Sequence, residues 1–187
     1  MQLLRNWLIV YVANFLGAMT MVALIYLGGT WRSADFRWGK VVLNVSLHKI
    51  EHTLLEAFVL GILCNLMVCL AVWAAYSGRN TTDKVLAVTM PIALFVATGF
   101  EHSVANMFMI PLGILVADTA GSGFWTGTGL DQAAFGDLTW INFLMDNLLP
   151  VTLGNIVGGG VMIGVLYWTV FHGLSTPATR AGRPAKE

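Results

Sequence analysis

The chain has 187 residues, of which 57% are hydrophobic and only 11% are charged, and its mean hydropathy is +0.73. This composition is typical of an integral membrane protein and predicts one all-α domain, a polytopic bundle of membrane helices over residues 1–187. The formal net charge is zero, so no basic surface indicates nucleic acid and no acidic surface indicates a cationic partner.

The first half of the chain contains two long apolar stretches that predict two membrane spans. Residues 7–27 and residues 54–76 each reach the roughly 20 residues that a helix needs to cross a hydrocarbon core of about 30 Å. Residues 28–54 form a polar connection between them. The helical spacing of residues 47–56 predicts that this connection runs directly into the second span.

The second half contains two further predicted spans and a polar tail. Residues 84–118 form a span that is interrupted near its middle, and residues 150–171 form the last span. A short interfacial helix over residues 138–149 is expected to lead into that last span. The tail, residues 175–187, is small, polar and basic and contains two prolines, a composition typical of disorder.

The distribution of basic residues predicts the orientation in the membrane. Four crossings place six Lys and Arg residues on the side of both termini and four on the opposite side. Cytoplasmic segments of membrane proteins carry the excess of basic residues. Both termini, including the tail, are therefore predicted to lie in the cytoplasm.

The third span is broken at residues 99–106, Gly-Phe-Glu-His-Ser-Val-Ala-Asn. Neither apolar flank is long enough to cross the hydrocarbon core, but the two together are, so the break lies near the bilayer midplane. Ionisable side chains at that depth cost at least a few kcal/mol when they face lipid. Glu101 and His102 should therefore face protein or a water-filled passage.

His102 is the leading functional candidate. At membrane depth in a helix break, an imidazole can line a permeation path and exchange a proton there. The alternative is a neutral imidazole that only hydrogen-bonds the irregular backbone around it. Glu101 must point elsewhere, because adjacent residues cannot share one face, and its carboxylate is expected to pair with Lys49 at one end of the second span.

The helix after the break should also favour an anion. It is predicted to begin near Met107, with Asn106 and Ser103 placed to cap its amino end. The N–H groups at that end carry a partial positive charge. A negatively charged solute is therefore attracted to the break even without charge transfer.

Other polar and aromatic residues admit two interpretations each. Asn14, Asn65 and Asn155 lie at predicted helix midpoints, where an amide either joins two helices by a hydrogen bond or contacts the substrate. Phe95 lies about two turns before His102 and is either a hydrophobic constriction or a lipid-facing side chain.

Two histidines four residues apart, His48 and His52, share a helix face and suggest a metal site. Glu51 lies next to the second histidine rather than after the first, so the pattern is not that of a zincin. With no clear third ligand nearby, a polar interfacial helix is favoured and no metal or other cofactor is expected. An intramembrane metalloenzyme that uses these histidines with His102 is the alternative from a different class.

An internal repeat relates the first and last spans. A shift of 141 positions aligns residues 6–26 with 7 identical residues in 21, among them the pairs Asn6–Asn147, Asn14–Asn155 and Gly17–Gly158. The two copies lie three spans apart and cross in opposite directions, as in many transporters and channels with a midplane site. One copy is preceded by two spans and the other by none, so two further spans are expected ahead of Met1.

The residues around the break resemble the signature of the formate/nitrite transporter family. The resemblance is carried by residues 99–108, Gly-Phe-Glu-His-Ser-Val-Ala-Asn-Met-Phe, and by residues 65–68, Asn-Leu-Met-Val. It also includes residues 155–159, Asn-Ile-Val-Gly-Gly, and extends from Asn6 to about Trp168. The chain is most similar to the formate channel branch of that family.

The resemblance implies an aquaporin-like fold of six spans per protomer, four of them present in this sequence, and a homopentamer with one pore per protomer. The implied substrates are formate and related small monovalent anions. Seven residues match functional positions of the family: His102, Asn155 and Phe95 in the pore, with Glu101, Lys49, Asn65 and Asn106 in a supporting polar network. Ser103, which lies beside His102, is expected to belong to the same network.

The sequence therefore predicts an anion channel of a bacterial cytoplasmic membrane rather than an enzyme. A hydrophobic constriction would exclude hydrated ions, and His102 would share a proton with the anion at the driest point of the path. Nitrite or hydrosulfide is the nearest alternative substrate. A nonfunctional fragment, serving at most in assembly, is the other alternative, because the family's first two spans have no counterpart in this sequence.

Overall fold

The computed structural model describes residues 2–173, and all regular secondary structure in that range is helical. The predicted disordered tail, residues 175–187, lies outside the described residues. The first six helices are α1 (Gln2–Leu27), α2 (Arg37–Ile50), α3 (Leu54–Ser77), α4 (Thr81–Ala97), α5 (Ser103–Thr119) and α6 (Ser122–Thr128).

The last helix, α7, runs without interruption over residues 140–173. It alternates α-helical turns with three π-helical segments, Phe143–Leu148, Ile156–Ile163 and Thr169–Gly173. Because π-helical turns bond each N–H to the carbonyl five residues earlier, they shift the faces of the helix relative to a regular one.

Three helical segments are long and apolar enough to cross a membrane: α1, α3 and Gln132–His172, which includes α7. A fourth crossing is counted among the described residues if α5 and α6, which are bent by 111°, form one span. α4 and α5 have 17 residues each, and at about 1.5 Å per residue neither crosses a core of about 30 Å alone. The third span, divided between these two helices, stays a prediction.

The boundary between α2 and α3 differs from the expected continuous helix. α2 ends at Ile50, and α3 begins separately at Leu54. Thr53 Oγ1 accepts a hydrogen bond from Glu56 N (3.2 Å), and Glu56 Oε2 accepts one from Thr53 N (2.8 Å). This capping box satisfies the first free N–H groups of α3 and fixes a new helix start.

The short interfacial helix predicted over residues 138–149 is also absent as a separate element. The helix begins at Trp140 and continues through Pro150, because the π-helical segment Phe143–Leu148 precedes the proline. Proline has no N–H for the carbonyl four residues earlier, and the wider turn accommodates the missing donor.

Glycines bring α3 and α7 into direct backbone contact. A Cβ atom added to Gly61 would lie 2.8 Å from Val151 O, and one added to Gly154 would collide with Phe58 O. Lipid provides no hydrophobic force between helices, so close packing of small residues takes its place. The polar side chains of α7 therefore lie close to the middle of α3.

α5 lies at the centre of the bundle, with 10 of its 17 residues buried. It packs against α1 and α2, and Ser46 Oγ on α2 donates a hydrogen bond to Met109 O at 2.9 Å. α4, by contrast, has no buried residue and packs on α3. The break between α4 and α5 thus joins a peripheral helix to the central one.

Candidate functional site

The break covers residues 98–102 and is shorter than the predicted 99–106. Gly99 has a φ of +70°, in the left-handed region that favours glycine, and it follows directly on the last turn of α4. The backbone leaves the helix there and becomes helical again at Ser103.

His102 is the residue that caps α5. Its Nδ1 accepts a hydrogen bond from Ala105 N, with an N···N distance of 3.4 Å. A ring nitrogen that accepts a hydrogen bond carries no proton, so the neutral ring has its proton on Nε2. The half-buried ring stacks on the half-buried ring of Phe95, with centroids 6.2 Å apart and planes at 28°. The histidine that caps α5 thus keeps its Nε2–H group as a hydrogen-bond donor.

The predicted cap by Asn106 and Ser103 is wrong. The helix begins four residues before Met107, because His102 already supplies the acceptor that the first N–H groups need. Asn106 lies inside the first turn, and its side chain is fully buried among other polar groups.

The carboxylate of Glu101 lies on the other side of the break and is only 1% exposed. Lys49 Nζ is 2.8 Å from its Oε1, so the predicted ion pair is present. Its Oε2 accepts hydrogen bonds from Asn106 Nδ2 (2.5 Å) and Asn147 Nδ2 (3.2 Å). A buried carboxylate with one cation and two amide donors is well satisfied in its ionised form.

The amide of Asn155 holds the break from both sides. Its Nδ2 donates to Glu101 O (3.0 Å) and to Gly61 O (2.8 Å), and its Oδ1 accepts from Ser103 N (3.0 Å). Asn65 on α3 donates in turn to the carbonyl of Asn155 at 2.5 Å. Both amides therefore form hydrogen bonds between helices, and both protons of Asn155 Nδ2 are committed to backbone carbonyls.

An open groove of about 660 Å³ lies between α1 and α7, beside the break. Asn14 borders this groove and donates only to Val10 O of its own helix, at 2.9 Å. The polar residues that line the groove are Asn6, Asn14, Asn65, Ser103, Thr152 and Asn155.

His48 and His52 lie near the same ion pair. Their ring centroids are 4.9 Å apart, and His52 Nε2 is 3.8 Å from Glu101 Oε1. Within residues 2–173, no three His, Cys, Asp or Glu side chains are placed to share a metal ion. The metalloenzyme alternative, which needs His102 as a third ligand, gains no support from the arrangement of these residues.

Asn147 is the polar residue of this site that sequence reasoning missed. It is fully buried and contacts Glu101, Asn106 and the backbone of Lys49. Its alignment with Asn6 in the internal repeat was a signal, but a repeat gives no indication of which groups an amide contacts.

A family comparison identifies the chain. The model of the formate/nitrite transporter family matches residues 1–169. The chain belongs to this family. The all-α transporter fold predicted from the sequence is confirmed, with the span count left as a prediction.

Two curated formate/nitrite transporters show how much of the family's length is present. The formate channel FocA of Escherichia coli (strain K12) is 52% identical over 170 residues, and that of Haemophilus influenzae is 51% identical over 173 residues. Each alignment covers 91% of this chain but 60% and 61% of the relative. The chain therefore spans about three-fifths of the length of these relatives.

Two solved structures of the family are similar to the described fold. A pentameric formate channel with formate bound matches with a TM-score of 0.87 at 44% identity, covering 91% of this chain and 67% of that chain. An FNT family ion channel matches with a TM-score of 0.65 at 32% identity, covering 86% of this chain and 56% of that chain.

Proposed function

We propose that this chain is part of a transmembrane channel for formate and similar small monovalent anions. The observation that carries the proposal is the break at residues 98–102, which brings His102 and the amino end of α5 together within an apolar helix bundle. A helix amino end and an imidazole N–H both attract an anion without adding a fixed net charge. The identity to proteins named formate channels supports formate as the substrate.

His102 supplies the chemistry of the passage in this proposal. Its Nε2–H donates a hydrogen bond to a carboxylate oxygen of the solute. When Nδ1 has also bound a proton from the aqueous side, transfer of the Nε2 proton makes the solute neutral where water is excluded and leaves the ring neutral. A bare carboxylate in such a place would cost on the order of tens of kcal/mol. A doubly protonated ring can no longer accept from Ala105 N, and losing a cap costs about 1 kcal/mol, which favours return to the neutral ring.

Phe95 forms the constriction in this proposal. Its ring stacks on that of His102, so an apolar surface lies next to the donor. A solute that passes Phe95 loses its hydration at the point where the imidazole can replace one hydrogen bond.

The supporting network is proposed to hold this arrangement in place. Lys49 and Glu101 form a pair without net charge, and Asn106 and Asn65 extend it by hydrogen bonds. Asn155 is proposed to act with these residues, since its amide protons are committed to the backbone around Ser103. The pore role predicted for Asn155 thus becomes one of shaping the passage.

The proposal extends to the assembly and its membrane. The similar solved structure is described as pentameric, and the many exposed apolar side chains of the described helices require lipid or further copies of the chain. We therefore propose a homopentamer in a bacterial cytoplasmic membrane, with the carboxyl end of each chain in the cytoplasm. Its function is transport of the anion and not a chemical conversion.

Nitrite and hydrosulfide are the alternative substrates that the family name and the geometry favour most. Each is a small monovalent anion that accepts a hydrogen bond, so the same imidazole and helix end suit it. Competition separates the candidates: an excess of the true substrate suppresses the uptake of labelled formate, and a poor substrate does not.

Uptake of labelled formate by membrane vesicles that contain the protein tests the proposal. We expect uptake that increases as the external pH falls, and we expect His102→Ala to abolish that pH dependence. His172→Ala is the matched control, because His172 is an exposed histidine near the end of α7. Vesicles without uptake would contradict the channel, and a pH profile unchanged by His102→Ala would contradict the proton role.

A further inference from the structure

Asn147 occupies a buried position at which three elements meet. It lies in the first π-helical segment of α7, and its side chain is fully buried. Its Nδ2 donates to Lys49 O (2.8 Å) and to Glu101 Oε2 (3.2 Å), while its Oδ1 accepts from Asn106 Nδ2 (2.7 Å). One amide therefore joins the end of α2, the break and the first turn of α5.

We propose that Asn147 is a positioning residue that fixes the Lys49–Glu101 ion pair relative to the break. Through the pair, it sets the electrostatic potential that a passing anion meets beside His102. This inference rests on the proposed function, since it concerns the same passage.

The double contact with Lys49 and Glu101 is the first reason for the proposal. Asn147 Nδ2 bonds the main-chain carbonyl of Lys49 and also the carboxylate that holds the Lys49 ammonium. Carbonyls in the last turn of a helix have no partner within the helix, and α2 ends one residue later, at Ile50. The amide thus anchors both the backbone and the charged end of this lysine.

The chemistry of an amide is the second reason. Asn147 uses both Nδ2 protons and one Oδ1 lone pair, so the site requires two donors and one acceptor in a single side chain. A leucine of similar size would remove the donor to Lys49 O and one of the two hydrogen bonds at Glu101 Oε2 and at Asn106 Nδ2. An aspartate would keep an acceptor but would place a second carboxylate within hydrogen-bond distance of Glu101.

The charged groups around Asn147 should make the effect of a second carboxylate depend on pH, and this dependence can be measured. The titratable groups around Asn147 are the pair itself, Lys49 and Glu101, and His52, whose Nε2 is 3.8 Å from Glu101 Oε1. Asp146 immediately precedes Asn147 on α7. Two carboxylates that share one ammonium cannot both stay ionised at low pH, and one of them binds a proton first. The excess negative charge of such a variant therefore grows as the pH rises and disappears as the pH falls.

The test compares Asn147→Asp with Asn142→Asp in the formate uptake assay, with the amount of protein in the membrane measured for each. Asn142 lies in the same helix, is half-buried, and donates to Asp137 O at 2.9 Å, away from the ion pair. We expect Asn147→Asp to lower uptake on the order of tenfold at the alkaline end of the pH range, with recovery as the pH falls. Asn142→Asp should keep the pH profile of the unmodified protein.

A second variant covers the case in which Asn147→Asp does not reach the membrane. Glu101→Gln combined with Asn147→Asp moves the carboxylate to position 147 and restores the original net charge. We expect this double variant to be inserted and to follow the pH profile of Asn142→Asp, because it carries no excess negative charge. Uptake that still falls off toward alkaline pH would contradict the proposal.

The outcomes separate this inference from the proposed function. If the unmodified protein takes up no formate, the proposed function itself fails. If it does take up formate and Asn147→Asp follows the same pH profile as Asn142→Asp, only the role of Asn147 is contradicted. A loss by Asn147→Asp that is equal at every pH would also contradict it, since an electrostatic effect must respond to protonation.

Discussion

Tyr11 Oη lies 3.0 Å from Thr152 Oγ1, and the two residues are 141 positions apart, the same shift that relates the two copies of the internal repeat. Equivalent residues of two related elements touch each other only near the axis that relates them. This contact is the one expected for an inverted repeat whose pseudo-twofold axis passes between α1 and α7.

The repeat provides a matched test of Asn155, because its equivalent in α1 is Asn14. Asn155→Leu removes three hydrogen bonds to the backbone, from Nδ2 to Glu101 O and Gly61 O and from Ser103 N to Oδ1, and should lower the free energy of unfolding by about 3 kcal/mol or more. Asn14→Leu removes only a bond to Val10 O in its own helix and should change it by less than about 0.5 kcal/mol. Thermal unfolding of the two variants in detergent measures the difference, and equal losses would contradict the clamping role.

Replacing one member of the buried Lys49–Glu101 ion pair should lower the stability of the protein more than replacing both members. Glu101→Gln leaves the Lys49 ammonium, 16% exposed in the native protein, without its carboxylate and should cost about 3–5 kcal/mol of stability. Adding Lys49→Met removes the uncompensated charge and should restore part of the loss. Chemical unfolding of the single and double variants measures this, and strictly additive losses would show that the two side chains do not interact.

The close contact between α3 and α7 requires glycine at position 154. A side chain in Gly154→Val would collide with Phe58 O, so we expect the bundle to lose about 3 kcal/mol or more and to insert poorly. Gly164→Ala is the control on the same helix, because a Cβ there meets nothing within 4 Å. That variant should be neutral or slightly stabilising. Comparing the yield and the melting temperature of both proteins tests the packing.

Phe95 can be tested against its neighbour Leu94. Phe95→Ala removes the ring stacked on His102 and should widen the constriction, so that uptake discriminates about tenfold less between formate and a larger carboxylate such as lactate. Leu94→Ala shortens a side chain that is 50% exposed and should leave the ratio unchanged. A constriction formed elsewhere would give both variants the same selectivity as the unmodified protein.

The central features of the site could be predicted because ionisable and polar residues are rare within the apolar sequence of a membrane span. An ionisable pair at midplane depth has few tolerable surroundings, so Glu101 and His102 indicated a break and Lys49 followed as the partner of the carboxylate. Spacing placed Phe95 about two turns before His102, and family resemblance then implied that it narrows the pore. The ring contact at 6.2 Å agrees with that placement, while the role of Phe95 as a constriction stays a prediction.

The features that could not be predicted depend on contacts between distant parts of the chain. Asn147 lies 98 residues from Lys49 and 41 from Asn106, and a buried amide on an apolar helix does not indicate which of many groups it meets. The start of α5 was misplaced because His102 was considered as a group that binds the solute or bonds the irregular backbone, and not as the cap of the helix. The start of α3 was marked in the sequence by Thr53 and, three residues later, Glu56, which is the pattern of a capping box. It was overlooked because the helical spacing of the surrounding residues suggested one continuous helix.

The hydrogen bonds of Asn155 to Glu101 and Ser103, on either side of His102, affect the rate at which the solute can pass. A stretch of backbone that is tied to two helices need not rearrange and reset after each solute has gone through. Flux should then run downhill in either direction at a speed governed by diffusion. Cooling should slow it only gently, in contrast to the steep temperature dependence of a carrier that alternates between two shapes.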